Sequence, residues 1–426
     1  MKNINFKINK EEPIYTQIYH TLAENMKQGY IQYGDKLPSI REIAKQLDVS
    51  KSTVENAYDR LLSEGYITSR PKAGYYCDMP EMKHNHKTIP VFSPNTTQKN
   101  YLYDFSSRSM DYSQFDQKVW IRYTKEVLEN GTLMAGYGES QGELALREQL
   151  ANHLYRHRGL HAKANQLYIG AGIGPLLYLI CSLFKESTLK VGFLKPGFIQ
   201  AMHIFEDCHH DVVLLDSLED VKSADIQFLY LTPAHLNLNM KDRLNLLKIL
   251  KEKNIYLIED DLNGDMYFQS SSIPRMQGLY DEDLVFYLSS FSKLLLPSVR
   301  IAVLCMPHSF TTSLTHYNQT ASRIEQQVLA LYLQDGHMQR RIKRLKRSYL
   351  KKAQKMMTLL TDHFEKIHLE EASLYIEIQD NFKNLETDDI INFQKVNDSV
   401  IRLHFSAISE DKIEEGIIYL MHKLKK

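Results

Sequence analysis

Cysteine is scarce in this chain. Only Cys77, Cys181, Cys208 and Cys305 occur in 426 residues, and no two form a C-x-x-C pair. A disulfide framework is therefore not expected, and reduced core thiols are. Cys208-His209-His210 does not make a metal site either, because ligands adjacent in sequence rarely converge without further partners. Net charge is also missing: 52 Lys+Arg balance 52 Asp+Glu, so any nucleic-acid surface must be local. No run approaches the roughly twenty apolar residues of a membrane span. Residues 1–10 alternate polar and apolar side chains with no apolar core, so no secretory leader is expected and the cytoplasm is the expected compartment.

The remaining composition, 43% hydrophobic and 24% charged, is that of a globular protein. The length exceeds one ordinary domain and predicts two or three units. After Pro13, residues Ile14, Tyr15, Ile18, Tyr19, Leu22, Ala23 and Met26 recur at helical spacing. Two short helices follow, each with its own start signal. Ser39-Ile40-Arg41-Glu42 reads as a capping box, and Ser52-Thr53-Val54-Glu55 reads as a second. Only a short turn lies between them, which points to a helix-turn-helix. Two strands around Pro71-Lys72-Ala73, at residues 65–70 and 74–77, would form a basic wing.

Candidate DNA contacts are Lys36, Arg41, Ser50, Lys51, Ser52, Thr53, Arg70, Lys72 and Gly74. Cations and hydroxyls near a helix N-terminus suit phosphate oxygens and base edges. The pattern alone also allows a small helical module with a solvated charged face. The segments 13–18, 34–44, 49–54 and 62–67 together resemble the GntR-type DNA-binding domain over about residues 10–78. That resemblance implies contact with double-stranded operator DNA through Arg41, the turn 50–53 and the wing at Gly74.

Residues 79–102 lose periodicity and read as a linker between a DNA-binding domain at 1–78 and a large domain at 103–426. His84 and His86 in the linker are read as incidental, and no metal is expected. In the large domain, apolar runs at 189–194, 212–215, 226–231, 255–258 and 284–288 read as buried strands. Helical stretches such as 241–253 alternate with them. The expected class is α/β with a mostly parallel sheet, whose ligands sit beyond the carboxyl ends of the strands.

Several of these runs end in reactive side chains: Glu259-Asp260-Asp261, Ser290-Phe291-Ser292-Lys293, and Thr232-Pro233-Ala234-His235. A lysine there can form a Schiff base when its surroundings favour the neutral amine. A carboxylate can pair with a pyridinium nitrogen, and Ser290, Ser292 and Arg300 can hold a phosphate. Solvated strand-end residues with no shared role remain the plain alternative.

The run 290–300 resembles the cofactor-lysine segment of fold-type I, class I/II aminotransferases, and 258–261, 137–147 and 401–406 match that family as well. Joined to a GntR-type head, this resembles the MocR family of regulators. The resemblance implies pyridoxal 5'-phosphate (PLP) as cofactor. It gives Lys293 the Schiff-base role, Asp260 the pyridine nitrogen, and Arg300, Ser292, Ser290 and Gly172 the phosphate. His235 would lie near the phenolic oxygen, Phe198 over the ring, and Arg402 at an amino-acid carboxylate. It further implies a homodimer that responds to a small amine, an amino acid or PLP itself. Two departures stand out. Leu262 occupies a position usually held by a tyrosine, and the phosphate turn reads Ala171-Gly172-Ile173-Gly174. A working aminotransferase with a DNA-binding head, or a regulator that has lost PLP, are the competing readings.

Overall fold

The structure, a computed structural model, describes residues 6, 8–9, 12–79, 101–107, 109–184, 187–195, 197–233, 236, 238–261, 264–266, 274–279, 283–311, 318–369 and 373–424. The chain divides into two units, Met1–Thr97 and Gln98–Lys426, each taken by itself below.

In the small unit, the apolar stripe after Pro13 becomes helix α1 (Ile14–Lys27), followed by α2 (Ile40–Leu47) and α3 (Lys51–Ser63). Ile18, Leu22, Ile43, Val54, Ala57, Tyr58 and Leu61 close one core. The Ser39–Glu42 capping box forms: the Ser39 hydroxyl accepts from Glu42 N–H at 3.2 Å, and the Glu42 carboxylate accepts from Ser39 N–H at 2.7 Å.

The expected second capping box is corrected. Helix α3 starts two residues earlier, and its cap is Ser50, which accepts from Thr53 N–H at 3.2 Å. The cause is the preceding turn. Asp48 takes a left-handed conformation (φ 53°) that stops α2, and Ser50 is already extended, so the next helix can begin at Lys51. The wing is the antiparallel pair β1 (Ile67–Arg70) and β2 (Gly74–Cys77), turning at Lys72 (φ 62°). Lys36 bridges to Tyr76, adding a third extended segment to the wing base.

The large unit opens with β3 (Tyr103–Phe105), which belongs to its second sheet. The main sheet contains β4 (Leu167–Gly170), β5 (Lys190–Leu194), β6 (Asp211–Leu215), β7 (Phe228–Leu231), β8 (Tyr256–Asp260), β9 (Val285–Ser290) and β10 (Ala302–Cys305). Its order is β4-β10-β9-β8-β7-β5-β6. Strands β5 to β9 pair in parallel, and β10 runs antiparallel between β9 and β4. The inner strands β7, β8, β9 and β10 are buried on both faces, as a sheet covered on both sides by helices requires, while edge strand β6 is partly exposed. A second sheet, ordered β11-β12-β14-β13-β3, adds β11 (Lys366–His368), β12 (Tyr375–Gln379), β13 (Ile391–Asn397) and β14 (Val400–His404). Cys77, Cys181 and Cys305 are buried free thiols. Among the described residues no helix is long and apolar enough to cross a membrane.

Candidate functional site

Topology decides which residues meet in the large unit. Parallel strands β4, β8 and β9 all end at one edge of the main sheet. Because β10 is antiparallel, it begins at that same edge: Ala302 sits opposite both Gly170 and Ser290. Arg300, two residues before Ala302, is thereby placed beside the ends of β4 and β9. It lies 129 positions from Ala171 in sequence, yet its Nη2 donates to Ala171 O at 3.3 Å.

The turn after β4 leads into the helix Ile173–Leu183, capped by Gly172 at φ 95°. The positive φ requires glycine here, and a Cβ would also come within 2.7 Å of Arg300 Nη2 and push the guanidinium aside. Arg300 is itself left-handed (φ 51°), an uncommon state for a side-chain-bearing residue that concentrates at ligand sites. Ala171 N–H donates to Thr320 Oγ1 at 3.0 Å. The amides of the first helical turn, the Arg300 guanidinium and the hydroxyls of Ser290 and Ser292 lie at this end of the edge, and all are groups able to hold an anion. Ser290 and Ser292 are linked, with hydroxyl oxygens 3.2 Å apart.

The pleat of β8 sorts three consecutive acids into different tasks, since alternate residues face opposite sides. Glu259 and Asp261 face one way. Glu259 accepts from the amides of Met276 (2.9 Å) and Gln277 (3.2 Å) and holds a short helix in place. Asp261 is buried between Arg158 and Arg275, with Arg275 Nε 2.8 Å from its Oδ1, and Tyr287 donates to it at 2.6 Å. Burial opposes the Asp261 charge, but Arg158 and Arg275 outweigh it and hold the carboxyl below its usual range.

Asp260 faces the other way and lacks any cationic neighbour of that kind. Its Oδ2 accepts from Tyr230 at 2.5 Å, and its buried Oδ1 has no hydrogen-bond partner among the described residues. Burial pushes the carboxyl up to about 7, with the Tyr230 bond pulling down and Asp261 pushing up. Phe198 reaches the same place: its ring stacks on Tyr230 at 6.2 Å and 28°.

Lys293 follows β9 and projects toward the start of the second sheet, where its Nζ donates to Ser107 O at 2.5 Å. Burial lowers the amine to about 8, and Asp104 pulls the other way. His404 is held near 3 by burial, with Lys293 and then Arg402 adding to the effect. The neutral imidazole meets Gln394 Oε1 at 2.9 Å. A lysine with an accessible neutral form, an orphaned carboxylate oxygen, an aromatic face and an anion cradle thus share one edge. They suit an aldehyde-bearing, phosphorylated pyridine. The orphaned Asp260 oxygen is the test of fit, because a ring N–H is the donor it lacks.

Not every expected residue is assembled this way. His235 and Leu262 lie outside the described residues. Arg402 is paired across strands with Glu377. Reading the sequence missed Tyr230, Thr320, Asp104 and the Arg158–Arg275 bracket. Tyr230 carried a signal, since a tyrosine inside a fully buried strand needs a partner for its hydroxyl.

In the small unit, Lys36, Arg41, Ser50, Lys51, Ser52, Arg70, Lys72 and Gly74 are exposed and Thr53 is half-buried. No acid occupies the first turn of α3. The Ser50 hydroxyl also lies 2.8 Å from that of Ser52 and 2.7 Å from that of Thr53. Arg70 stacks over Tyr76 at 4.3 Å, and the Lys36 stem passes Gly74, where a Cβ would meet its Cε at 3.5 Å. Helix start and wing therefore each present cations and hydroxyls with little acid among them.

Comparison with known proteins agrees with this division. Residues 14–77 match the model of bacterial regulatory proteins of the gntR family, and residues 104–381 match aminotransferase class I and II. The chain is 33% identical to the HTH-type transcriptional regulator YdeL of Bacillus subtilis, over 80% of this chain and 77% of that one. It is 24% identical to the probable rhizopine catabolism regulatory protein MocR of Rhizobium meliloti (89% and 84%). It is 27% identical to the pyridoxine biosynthesis regulator PdxR of Corynebacterium glutamicum (80% and 78%). Among solved structures, an archaeal alanine:glyoxylate aminotransferase superposes with a TM-score of 0.67 at 20% identity, covering 77% of this chain and 92% of that one.

Proposed function

Because this chain belongs to the MocR-type regulators, a gntR-family DNA-binding domain joined to an aminotransferase class I and II domain, we propose that it couples occupancy of a PLP site to DNA binding. The chain is a DNA-binding transcriptional regulator, and its large domain has the fold of the fold-type I aminotransferases. The observation that carries the cofactor reading is Asp260, a buried carboxylate with one oxygen that no donor reaches among the described residues.

In this reading Asp260 holds the proton of the ring nitrogen, and Tyr230 fixes the carboxylate from the other side. Arg300, Ser290, Ser292 and the amides after Gly172 hold the phosphate. Phe198 covers the ring, and Lys293 supplies the amine. Bound there, the cofactor contributes an aldehyde that exchanges amines and a ring that withdraws electrons. Burial keeps a share of Lys293 neutral near pH 8, which is the form able to act as a nucleophile.

The effector is a small amine, an amino acid or PLP itself, acting in the cytoplasm on a homodimer whose two heads read paired half-sites of operator DNA. Arg41, Lys51, Lys72 and Lys36 neutralise phosphates, and the Ser50–Thr53 turn approaches the groove. A ligand regulates only by preferring one arrangement of the protein, with typical coupling of about 5–150-fold in affinity. The test is binding to a duplex selected from random-sequence DNA, using cofactor-free protein, PLP-loaded protein, and PLP-loaded protein with phenethylamine. A change of about fivefold or more between any two states is expected. Equal affinity in all three contradicts the reading.

A further inference from the structure

Arg402 is the position at which an amino-acid carboxylate would dock, and the structure gives it a partner of its own. Strands β12 and β14 pair so that Glu377 lies directly opposite Arg402. Arg402 Nε donates to Glu377 Oε2 at 3.0 Å, with only 30% and 20% of the two side chains exposed. The guanidinium also lies over the Tyr375 ring at 4.7 Å. The pair belongs to the Lys293 neighbourhood: His404 stands two residues along β14 on the same face, its ring 5.1 Å from that of Tyr375. A second sheet strand carries Asp104, whose charge also reaches Lys293.

We propose that Glu377 sets the effector class of the large unit: a primary amine with no carboxylate beside it. This rests on the PLP reading above. An incoming carboxylate meets a cation already neutralised at short range. It must either displace Glu377, stranding that charge in a half-buried place, or sit beside it and be repelled. An amine without a carboxylate pays neither cost, and the aldehyde that Lys293 would hold remains open to its nitrogen. The aromatic face of Tyr375 and the neutral His404 ring offer such a ligand an uncharged wall.

The experiment uses full-length, PLP-loaded protein and calorimetric titration with pairs that differ only by the carboxylate: phenethylamine against phenylalanine, and ethanolamine against serine. Each amine is expected to bind at least about tenfold more tightly than its amino acid, a difference near 1.4 kcal/mol. Glu377→Gln should tighten the amino acids by about tenfold and leave the amines within about twofold. Glu377→Asp, which keeps the charge, should retain the wild-type preference and shows that the site tolerates substitution. Equal binding of amine and amino acid by the wild type overturns the proposal. So does a Glu377→Gln protein in which both ligands weaken together, or a loaded protein that binds no amine. Absence of a visible cofactor band with excess PLP removes the PLP reading itself, and this inference with it. A band with equal ligand binding removes only the inference.

Discussion

The two units build their functional surfaces in opposite ways. The head displays exposed side chains within one stretch of about forty residues, fixed by caps and turns that each span three or four positions. The large unit uses side chains drawn from residues 104 to 404, from the buried Asp260 and Tyr230 to the exposed Arg300, and their encounter depends on strand order. In the head, chemistry sits outside a core that would fold without it. In the large unit, Asp260 is buried with one oxygen unpartnered among the described residues, which carries an electrostatic cost. Changes to the head should therefore alter DNA binding with small effects on stability. Changes at the sheet edge should affect both stability and ligand binding.

The largest expected effect breaks the buried charge cluster. Arg158→Leu leaves Asp261 and Asp265 without their shared partner, and the large unit should lose about 3–5 kcal/mol. Urea unfolding monitored by the single Trp120, which lies in that unit, reads this directly. An equal loss in the small unit would erase the contrast between the two.

Next comes Asp260→Asn. Losing a charged hydrogen bond of about 1.5–3 kcal/mol should weaken PLP by about 10–100-fold, measured by equilibrium dialysis. The same change should have the opposite effect on the empty protein. The Asp260 carboxyl is raised to about 7 in the fold, above its unfolded value near 4, so the folded state holds the extra proton between those limits. Stability from this group therefore falls as pH rises from about 4 to about 7. Relative to wild type, cofactor-free Asp260→Asn should gain thermal stability across that window. A difference independent of pH would contradict the burial argument.

In the head, Ser50→Ala removes the cap of α3 and should cost about 1 kcal/mol, read by denaturation of the full chain through far-ultraviolet dichroism. Ser52→Ala should cost much less, since Ser52 lies inside the helix. The smallest effect is Lys72→Ala at the wing tip. It should leave stability unchanged and reduce the salt-dependence slope of DNA binding by about 0.9.

The same contrast explains what could be read without a structure. Ser39 and Glu42 announced α2 because both partners of the capping box are three residues apart. The cap of α3 was misplaced by two residues, because Ser50 and Ser52 carry the same hydroxyl and only the left-handed Asp48 decides between them. In the large unit, the apolar runs showed where strands end, so the placing of Asp260, Ser290 and Lys293 at or just beyond the ends of β8 and β9 was legible. The meeting of Arg300 with Ala171 was not, since it follows from an antiparallel β10 inserted between β9 and β4. The division of labour among Glu259, Asp260 and Asp261 required knowing which face each presents. The Glu377–Arg402 pair depends on strand register, which no local pattern specifies.

The central claim is that Lys293 and Asp260 belong to one PLP site in a DNA-binding regulator. Its most direct test is the absorption spectrum from about 300 to 500 nm of purified protein with added PLP, wild type against Lys293→Ala. The account predicts a long-wavelength aldimine band in the wild type that is absent in the variant, whose spectrum is that of unlinked PLP. A band of equal strength in both proteins, or none in either, would contradict it.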